Sequence, residues 1–174
     1  MKKVLLIAVL ALLGLGNVNA QDAKFGAIAG YHNLSQKLSA EGASVSMDIN
    51  GFYIGVSGEF KLSETLNLQT ELQYASASQD DESIDLIVFP ILAKYYVSEE
   101  FSLQAGPQLD FIVSDSEGAN VFGLGLAVGA GYDISKNFYI SSRYAFGLTN
   151  RIEDAPSDYS LKTNTFQVGL GYKF

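Results

Sequence analysis

Five charged residues stand out because the alternation described below places them on the same face as the small and polar residues. They are Glu59, Glu71, Lys94, Asp110 and Arg143. Carboxylates and cations in such surroundings can form ion pairs, line an ion path or relay protons. A buried charge without a partner is costly, so these side chains must pair with one another or be reached by water. We therefore predict an interior polar cluster of mixed sign, with either a structural or a gating role.

Residues suited to catalysis are scarce. His32 is the only histidine, and no serine and acid are placed so that they must converge with it into a triad. The absence of cysteine excludes a disulfide framework and a thiolate metal site. We expect a non-enzymatic protein in which His32 is an interfacial or loop residue. A barrel enzyme that acts on lipid A or peptides stays open as a third alternative.

Acidic residues gather in three of the polar segments that we interpret below as loops. They could collect Ca²⁺ or bridge divalent ions to lipopolysaccharide, but none has the spacing of an EF-hand. We therefore treat them as solvated surface and predict no metal and no cofactor, since phosphate-loop, heme and zinc motifs are also not found. The residues are Asp80, Asp81, Glu82, Asp115, Glu117, Glu153 and Asp154.

Alternation of apolar with small or polar residues dominates the chain after residue 20. In the last ten residues, Phe166, Val168, Leu170, Tyr172 and Phe174 alternate with Gln, Gly or Lys. This period of two indicates a strand whose faces meet different surroundings. A chain that ends on an aromatic residue in such a strand resembles the C-terminal assembly signal of outer-membrane barrels. Similar patterns predict eight strands, at about 24–34, 49–61, 66–76, 84–97, 101–112, 121–133, 137–149 and 165–174.

The connections alternate in length. Short turns are predicted at 63–64, 98–100 and 135–136, and longer polar loops at 35–48, 77–83, 113–120 and 150–160. Each short turn lies in a faint repeat of an apolar residue, Ser and a charged residue. Short turns on one side and long loops on the other are typical of outer-membrane barrels. The predicted fold is therefore all-β: an eight-stranded antiparallel up-and-down transmembrane β-barrel.

The space inside an eight-stranded barrel decides which face of each strand points inward. Eight strands enclose an interior only just wide enough for side chains, so the bulky apolar set must face outward and the Gly-, Ser-, Gln- and Ala-rich set inward. Two aromatic pairs ten residues apart, Phe101 with Phe111 and Phe122 with Tyr132, would then bracket roughly 26 Å of membrane, close to the expected apolar band. The narrow interior also favours a plug of salt bridges over a channel. Strand four is apolar on both faces, and Pro90 predicts a bulge there with a possible change of parity.

The N-terminus predicts export. Lys2 and Lys3 precede an apolar run that ends near Leu15, and Ala20 follows small residues suited to cleavage. We expect a cleaved signal peptide at 1–20 and a barrel domain at 21–174. The formal net charge of −8 would become −10 on loss of the two lysines, with nine basic against 19 acidic residues. An acidic chain without a basic stripe predicts no nucleic-acid partner.

The sequence also resembles a known family. Phe-Pro-Ile-Leu-Ala-Lys-Tyr-Tyr at 89–96 and the terminal Gly-Leu-Gly-Tyr-Lys-Phe, together with the signal sequence, look like the PorT-like outer-membrane β-barrel family, and more distantly the small OmpA and OmpX barrels. The resemblance implies an integral outer-membrane protein and carries no catalytic set. We expect a closed or nearly closed monomer with a structural or cell-surface role, or alternatively a transport or secretion accessory. Expected partners are outer-membrane lipid, lipopolysaccharide and, during biogenesis, the barrel assembly machinery.

Overall fold

The computed structural model describes residues 23–40, 43–79, 82–114, 120–152 and 159–174. The predicted signal peptide and most of the acidic loop residues lie outside these ranges. None of the described segments is a helix that could cross a membrane. The strands are β1 (Ala23–Ala40), β2 (Ala43–Lys61), β3 (Leu66–Gln79), β4 (Glu82–Tyr96), β5 (Phe101–Ile112), β6 (Phe122–Asp133), β7 (Phe138–Gly147) and β8 (Tyr159–Lys173).

Each strand pairs with the next in antiparallel fashion, and β8 pairs with β1 to close the barrel. The predicted fold class is confirmed. Following directly paired residues once around the sheet leads from Ala23 on β1 back to Asn33 on the same strand. This stagger of ten residues over eight strands corresponds to a tilt of about 41°, given about 3.3 Å per residue and about 4.8 Å between strands.

Three turns of one design join β2 to β3, β4 to β5 and β6 to β7. Ser63, Ser98 and Ser135 each accept hydrogen bonds at Oγ from the backbone N–H groups two and three residues later, at 3.0–3.4 Å. In each case the apolar residue before the serine donates its backbone N–H to the carbonyl oxygen of the first residue of the next strand, at 2.9 Å. The repeat in the sequence is therefore a repeat of one turn, in which a serine hydroxyl satisfies backbone donors.

The β1–β2 connection differs from its prediction. The sequence predicts a loop at 35–48, but regular pairing continues from Ser35 opposite Asp48 to Ala40 opposite Ala43. β8 also extends along β1 as far as Tyr159 opposite Ala40. Both faces of this extension lie beyond the apolar part of the barrel, so water meets both sides and the residues need not alternate. Because these residues do not alternate, the sequence does not identify this part of the strand.

Pro90 does not produce the expected bulge. The register of β4 against β3 and against β5 is the same before and after it, so parity is also unchanged. The β3–β4 ladder is instead interrupted for two residue pairs, opposite Glu71 and Leu72, and the β4–β5 ladder for two pairs beside Pro107. Prolines lack a backbone donor, and here this removes hydrogen bonds without inserting a residue.

The outer surface is apolar and carries a belt of aromatic residues around the barrel at the turn end. The residues of this belt lie within about 5 Å of one another along the barrel axis, given the tilt and stagger above. Contacts along it include Phe25 with Phe60, whose ring centroids are 6.1 Å apart, and Phe138 with Tyr172, at 5.0 Å. The members are Phe25, Phe60, Tyr95, Phe101, Tyr132, Phe138 and Tyr172.

The apolar surface is taller on one side of the barrel than on the other. On β5 and β6 the outward residues stay apolar over ten positions, up to Phe111 and Phe122, which contact each other at 5.4 Å. On β8 and β1 the outward apolar residues end after six positions, at Phe166 and Tyr31, and asparagines follow. At the tilt above, these heights are about 25 Å and about 15 Å. The apolar part of the outer surface is therefore shorter at β8 and β1 than at β5 and β6.

Candidate functional site in the barrel lumen

The turn end of the lumen contains a network of four charges, which we call the turn-end cluster: Glu59, Lys94, Asp133 and Lys173. Lys94 Nζ lies 3.0 Å and Lys173 Nζ 3.6 Å from Glu59 Oε2, and Lys173 also contacts Asp133 at 2.9 Å. The Tyr96 hydroxyl donates to Glu59 at 2.9 Å. Both ammonium groups lie over the Tyr139 ring, at 5.4 and 5.2 Å from its centroid. The cluster closes this end with two negative and two positive charges.

A second ion pair crosses the middle of the lumen. Arg143 on β7 donates from Nη2 and Nη1 to the two carboxylate oxygens of Glu71 on β3, at 2.7 and 3.2 Å. Glu71 is 0% and Arg143 3% exposed. The side-chain amides of Gln69 and Gln73 donate to the same carboxylate. The guanidinium therefore binds the carboxylate through two parallel hydrogen bonds, and the two amides donate further hydrogen bonds to the same oxygens. A fully buried carboxylate requires such a set of donors.

The third ion pair lies toward the loop end. Asp110 accepts a hydrogen bond from Arg151, which follows β7 and turns back into the barrel mouth. Arg151 also donates to the backbone oxygens of Asn120 and Val121 at 3.2 and 3.3 Å. A Cβ on Gly123 would collide with this guanidinium, so the glycine provides its space. Arg151 thus joins β5, β6 and the segment after β7.

The structure places all five sequence-derived residues, Glu59, Glu71, Lys94, Asp110 and Arg143, inside the barrel, but as three separate groups. Their missing partners come from residues that sequence reasoning did not select: Asp133, Arg151 and Lys173. Arg151 could have been recognised as the only basic residue in a segment that is otherwise acidic. Lys173 lies at an inward position of β8, the parity already assigned to Gln167, Gly169 and Gly171. In each group the carboxylates and cations are equal in number, so the lumen carries no net charge from them.

An apolar cluster runs along the lumen, with most of its members toward the loop end. It accounts for the double-sided apolar pattern of strand four, because Leu86 and Val88 face inward, as does Leu92 nearer the middle. The expectation of a small and polar inner face is therefore wrong on this side of the barrel. The buried members of the cluster are Ile28, Leu34, Ile49, Tyr53, Ala75, Ala77, Leu86, Val88 and Tyr139.

Two aromatic side chains enter the lumen where β8 carries glycines. A Cβ on Gly169 would meet the Tyr53 hydroxyl, and a Cβ on Gly171 would meet the Tyr139 ring. The small residues of the terminal strand thus make room for large ones from β2 and β7. The sum of volumes across the lumen, and not the size on any one strand, decides how full it is.

His32 is fully buried in the lumen, so the expectation of an interfacial or loop position is wrong. Its Nδ1 lies 3.3 Å from the Gln167 side-chain nitrogen, which in turn donates to Gln73 at 2.9 Å. Within the described residues no group of three or more His, Asp or Glu side chains is arranged to hold a metal ion. Among the same residues, His32 Nε2, both amide atoms of Gln104 and Gln108 Oε1 have no hydrogen-bond partner. Buried polar atoms of this kind are commonly satisfied by enclosed water, so we expect hydrated zones beside His32 and Gln108 and, nearer the turn end, around Gln104.

The terminal strand is placed as its alternation indicates. Phe166, Leu170, Tyr172 and Phe174 are exposed on the outer face and Val168 is half-buried there. Phe174 is 78% exposed, and its backbone N–H donates to Phe25 at 2.9 Å. The last residue thus completes the β8–β1 seam with its backbone while its ring projects from the barrel. Its role as an assembly signal stays a prediction.

Comparison with known proteins agrees with this architecture. The family model described as "Outer membrane protein beta-barrel domain" matches residues 5–174. The chain belongs to this family. Solved structures of similar fold include those of Ail, the attachment invasion locus protein of Yersinia pestis, and Neisserial surface protein A (NspA). Each has a TM-score of 0.51 and 15% identity, over 87% of this chain and 99% of the other.

The sequence matches no curated protein. At this level of identity, the likeness to Ail and NspA shows a shared fold alone. The family and the fold together place this outer membrane beta-barrel protein in the outer membrane, with its apolar outer surface against lipid.

Proposed function

We propose that this protein is a closed, non-enzymatic barrel that supports the envelope and acts at the cell surface through its outer loops. The observation that carries the proposal is the filled lumen. Three neutral groups of ion pairs lie at successive levels, and an apolar cluster occupies much of the space toward the outer end. An ion would have to break charge pairs and then pass apolar side chains, which is unfavourable for conduction.

The parts of the chain that lie beyond the apolar band support a role at the cell surface. The β8–β1–β2 extension projects beyond the apolar band, and the loop segments are acidic. Ail and NspA, which share the fold, are by their names an attachment and invasion protein and a surface protein. The resemblance to the PorT-like family favours a secretion accessory as the alternative, for which the hydrated zone around Gln104 offers limited polar space.

Planar-bilayer recording of the refolded protein tests closure. We expect no reproducible conductance from the native chain or from the Lys61→Ala control, which removes an exposed charge at the turn end. A reproducible conductance that changes in Arg143→Ala would contradict the closed lumen and favour the transport alternative.

A deletion strain tests the role in the cell. We expect increased sensitivity to detergents, restored by the native chain. Restoration by a chain carrying Glu153→Gln and Asp154→Asn would assign the role to the barrel itself, whereas failure of that chain would assign it to the acidic loop. Full resistance in the deletion strain would contradict an envelope role.

The enzyme alternative has its own measurement. Lipid A incubated with the purified protein should keep its mass. A mass change that disappears in His32→Ala would overturn the non-enzymatic assignment.

A further inference from the structure

Exposed cations are few and unevenly placed. Of the nine lysines and arginines in the described part of the chain, Lys94, Lys173, Arg143 and Arg151 are buried in ion pairs. Three exposed lysines lie at the turn end: Lys24, Lys61 and Lys136. The two others, Lys37 on β1 and Lys162 on β8, lie at the loop end. They are the exposed positive charges at that end among the described residues, while the loops are acidic.

These two lysines are directly opposite each other. Lys37 pairs with Lys162 in the β1–β8 register, and both lie on the outward side of the sheet, in line with Tyr31 and Phe166. Like charges directly across a strand pair are destabilising. Within the described residues, neither ammonium group has a carboxylate within 4.0 Å; Asp48 is the nearest acidic position in the register, diagonal to Lys37. An arrangement that costs stability by itself is accounted for if an anion binds both charges.

The level of the pair identifies the anion. On β8 and β1 the apolar outer surface ends at Phe166 and Tyr31, and Asn164, Asn33 and Ser35 follow before the lysines. By the tilt and stagger of the barrel, the lysines lie about 3–6 Å beyond the level of Phe111 and Phe122, which mark the top of the taller side. This is the headgroup region, where lipid phosphates lie. Lysine binds phosphate through short, charge-assisted hydrogen bonds.

We propose that Lys37 and Lys162 together bind the phosphate of a phosphorylated outer-leaflet lipid headgroup. Neighbouring hydroxyl and amide groups on the same outward side, at Ser46 opposite Lys37 and at Asn164 two residues from Lys162, can contribute further hydrogen bonds to the headgroup. The site depends on the position of the barrel in the outer membrane. It does not depend on a closed lumen, so it stands or falls separately from the proposed function.

Native mass spectrometry of detergent-purified protein with lipid A tests the site. The double variant Lys37→Gln/Lys162→Gln should bind phosphorylated lipid A about tenfold more weakly than the native chain. The control Lys61→Gln/Lys136→Gln has the same change of charge at the turn end and should bind as the native chain does. Lipid A with its phosphates removed should bind all three equally weakly. Equal binding of phosphorylated lipid A by the native chain and the loop-end variant, or equal loss in both variants, would overturn the proposal.

Stability provides a second readout that separates the lipid from other anions. In an uncharged detergent the loop-end variant should be as stable as the native chain or slightly more so, because it relieves the lysine repulsion. In vesicles containing phosphorylated lipid A the order should reverse, since the lipid stabilises only the chain that binds it. Millimolar inorganic phosphate in the uncharged detergent is the control. If it makes the native chain more stable than the loop-end variant by as much as lipid A does, the site binds phosphate without lipid preference, and the assignment to lipid is wrong.

Discussion

Replacement of Arg143 by methionine would leave Glu71 buried without its cation. Methionine is unbranched and uncharged and can replace the aliphatic part of the arginine side chain. The main electrostatic change is then the loss of the two contacts at 2.7 and 3.2 Å. Gln69 and Gln73 would still donate to the carboxylate, but they bring no charge. Because both members of the pair are almost completely buried, solvent cannot take the place of the guanidinium.

Breaking a buried pair by removing one partner costs about 3–5 kcal/mol. We therefore expect Arg143→Met to raise the equilibrium constant of unfolding by roughly 100- to 4000-fold, since about 1.4 kcal/mol corresponds to a factor of ten. The double variant Glu71→Gln/Arg143→Met removes both charges and should be markedly more stable than Arg143→Met alone. Lys61→Met, at an exposed turn-end position, is the matched control and should change stability little.

Urea unfolding in lipid vesicles, followed by the shift of the folded band on unboiled gels, measures these differences. The reasoning is refuted if Arg143→Met costs less than about 1 kcal/mol, or if the double variant costs the sum of the single variants. Either result would mean that water reaches Glu71 and screens it, and that the middle of the lumen is more open than its packing indicates.

Three further outcomes are expected. Gly169→Ala should destabilise the barrel by about 1–3 kcal/mol through overpacking against Tyr53, and Tyr53→Phe in the same chain should recover part of this loss; equal costs in both backgrounds, measured by urea unfolding, would exclude the clash as the cause. Gly123→Ala should displace Arg151 from its ion pair and increase proteolysis of folded protein after Arg151, whereas an unchanged digestion pattern on mass spectrometry would show that the guanidinium keeps its place. Deletion of Phe174 should lower outer-membrane yield more than it lowers the stability of the refolded barrel, and normal yield on quantitative blotting of membrane fractions would contradict an assembly role.

The sequence predicts the barrel well because lipid outside and a packed lumen inside impose different residues on alternate positions. The same dependence on alternation explains why two segments are predicted incorrectly or incompletely. At Ser35 to Ala40 water meets both faces, so the strand carries no alternation and the sequence predicts a loop there. At Leu86 to Leu92 both faces are apolar, so alternation could not show which residues face the lumen.

The partners of the lumenal charges were difficult to identify for a different reason. A strand pattern assigns a side chain to the lumen but does not say which side chain across the lumen it meets. Glu59 reaches Lys173 on the last strand, and Asp110 reaches Arg151 after the seventh. These pairings depend on the stagger of the whole sheet, which is set only when the barrel closes. The residues of the candidate site were therefore largely predictable, but its division into three groups was not.

The distance along the chain between paired charges restricts how the protein can enter the membrane. Glu71 is separated by 72 residues from Arg143. Glu59 on β2 contacts Lys173 at the end of β8, and Lys173 also contacts Asp133. A sheet that crossed the bilayer strand by strand would carry Glu59 and Glu71 into hydrocarbon long before β7 and β8 arrived to neutralise them. The strands must therefore cross together, with the inner face already folded on itself, and partly inserted intermediates should be short-lived. In this protein the pairs that fill the finished lumen also make insertion an all-or-none event.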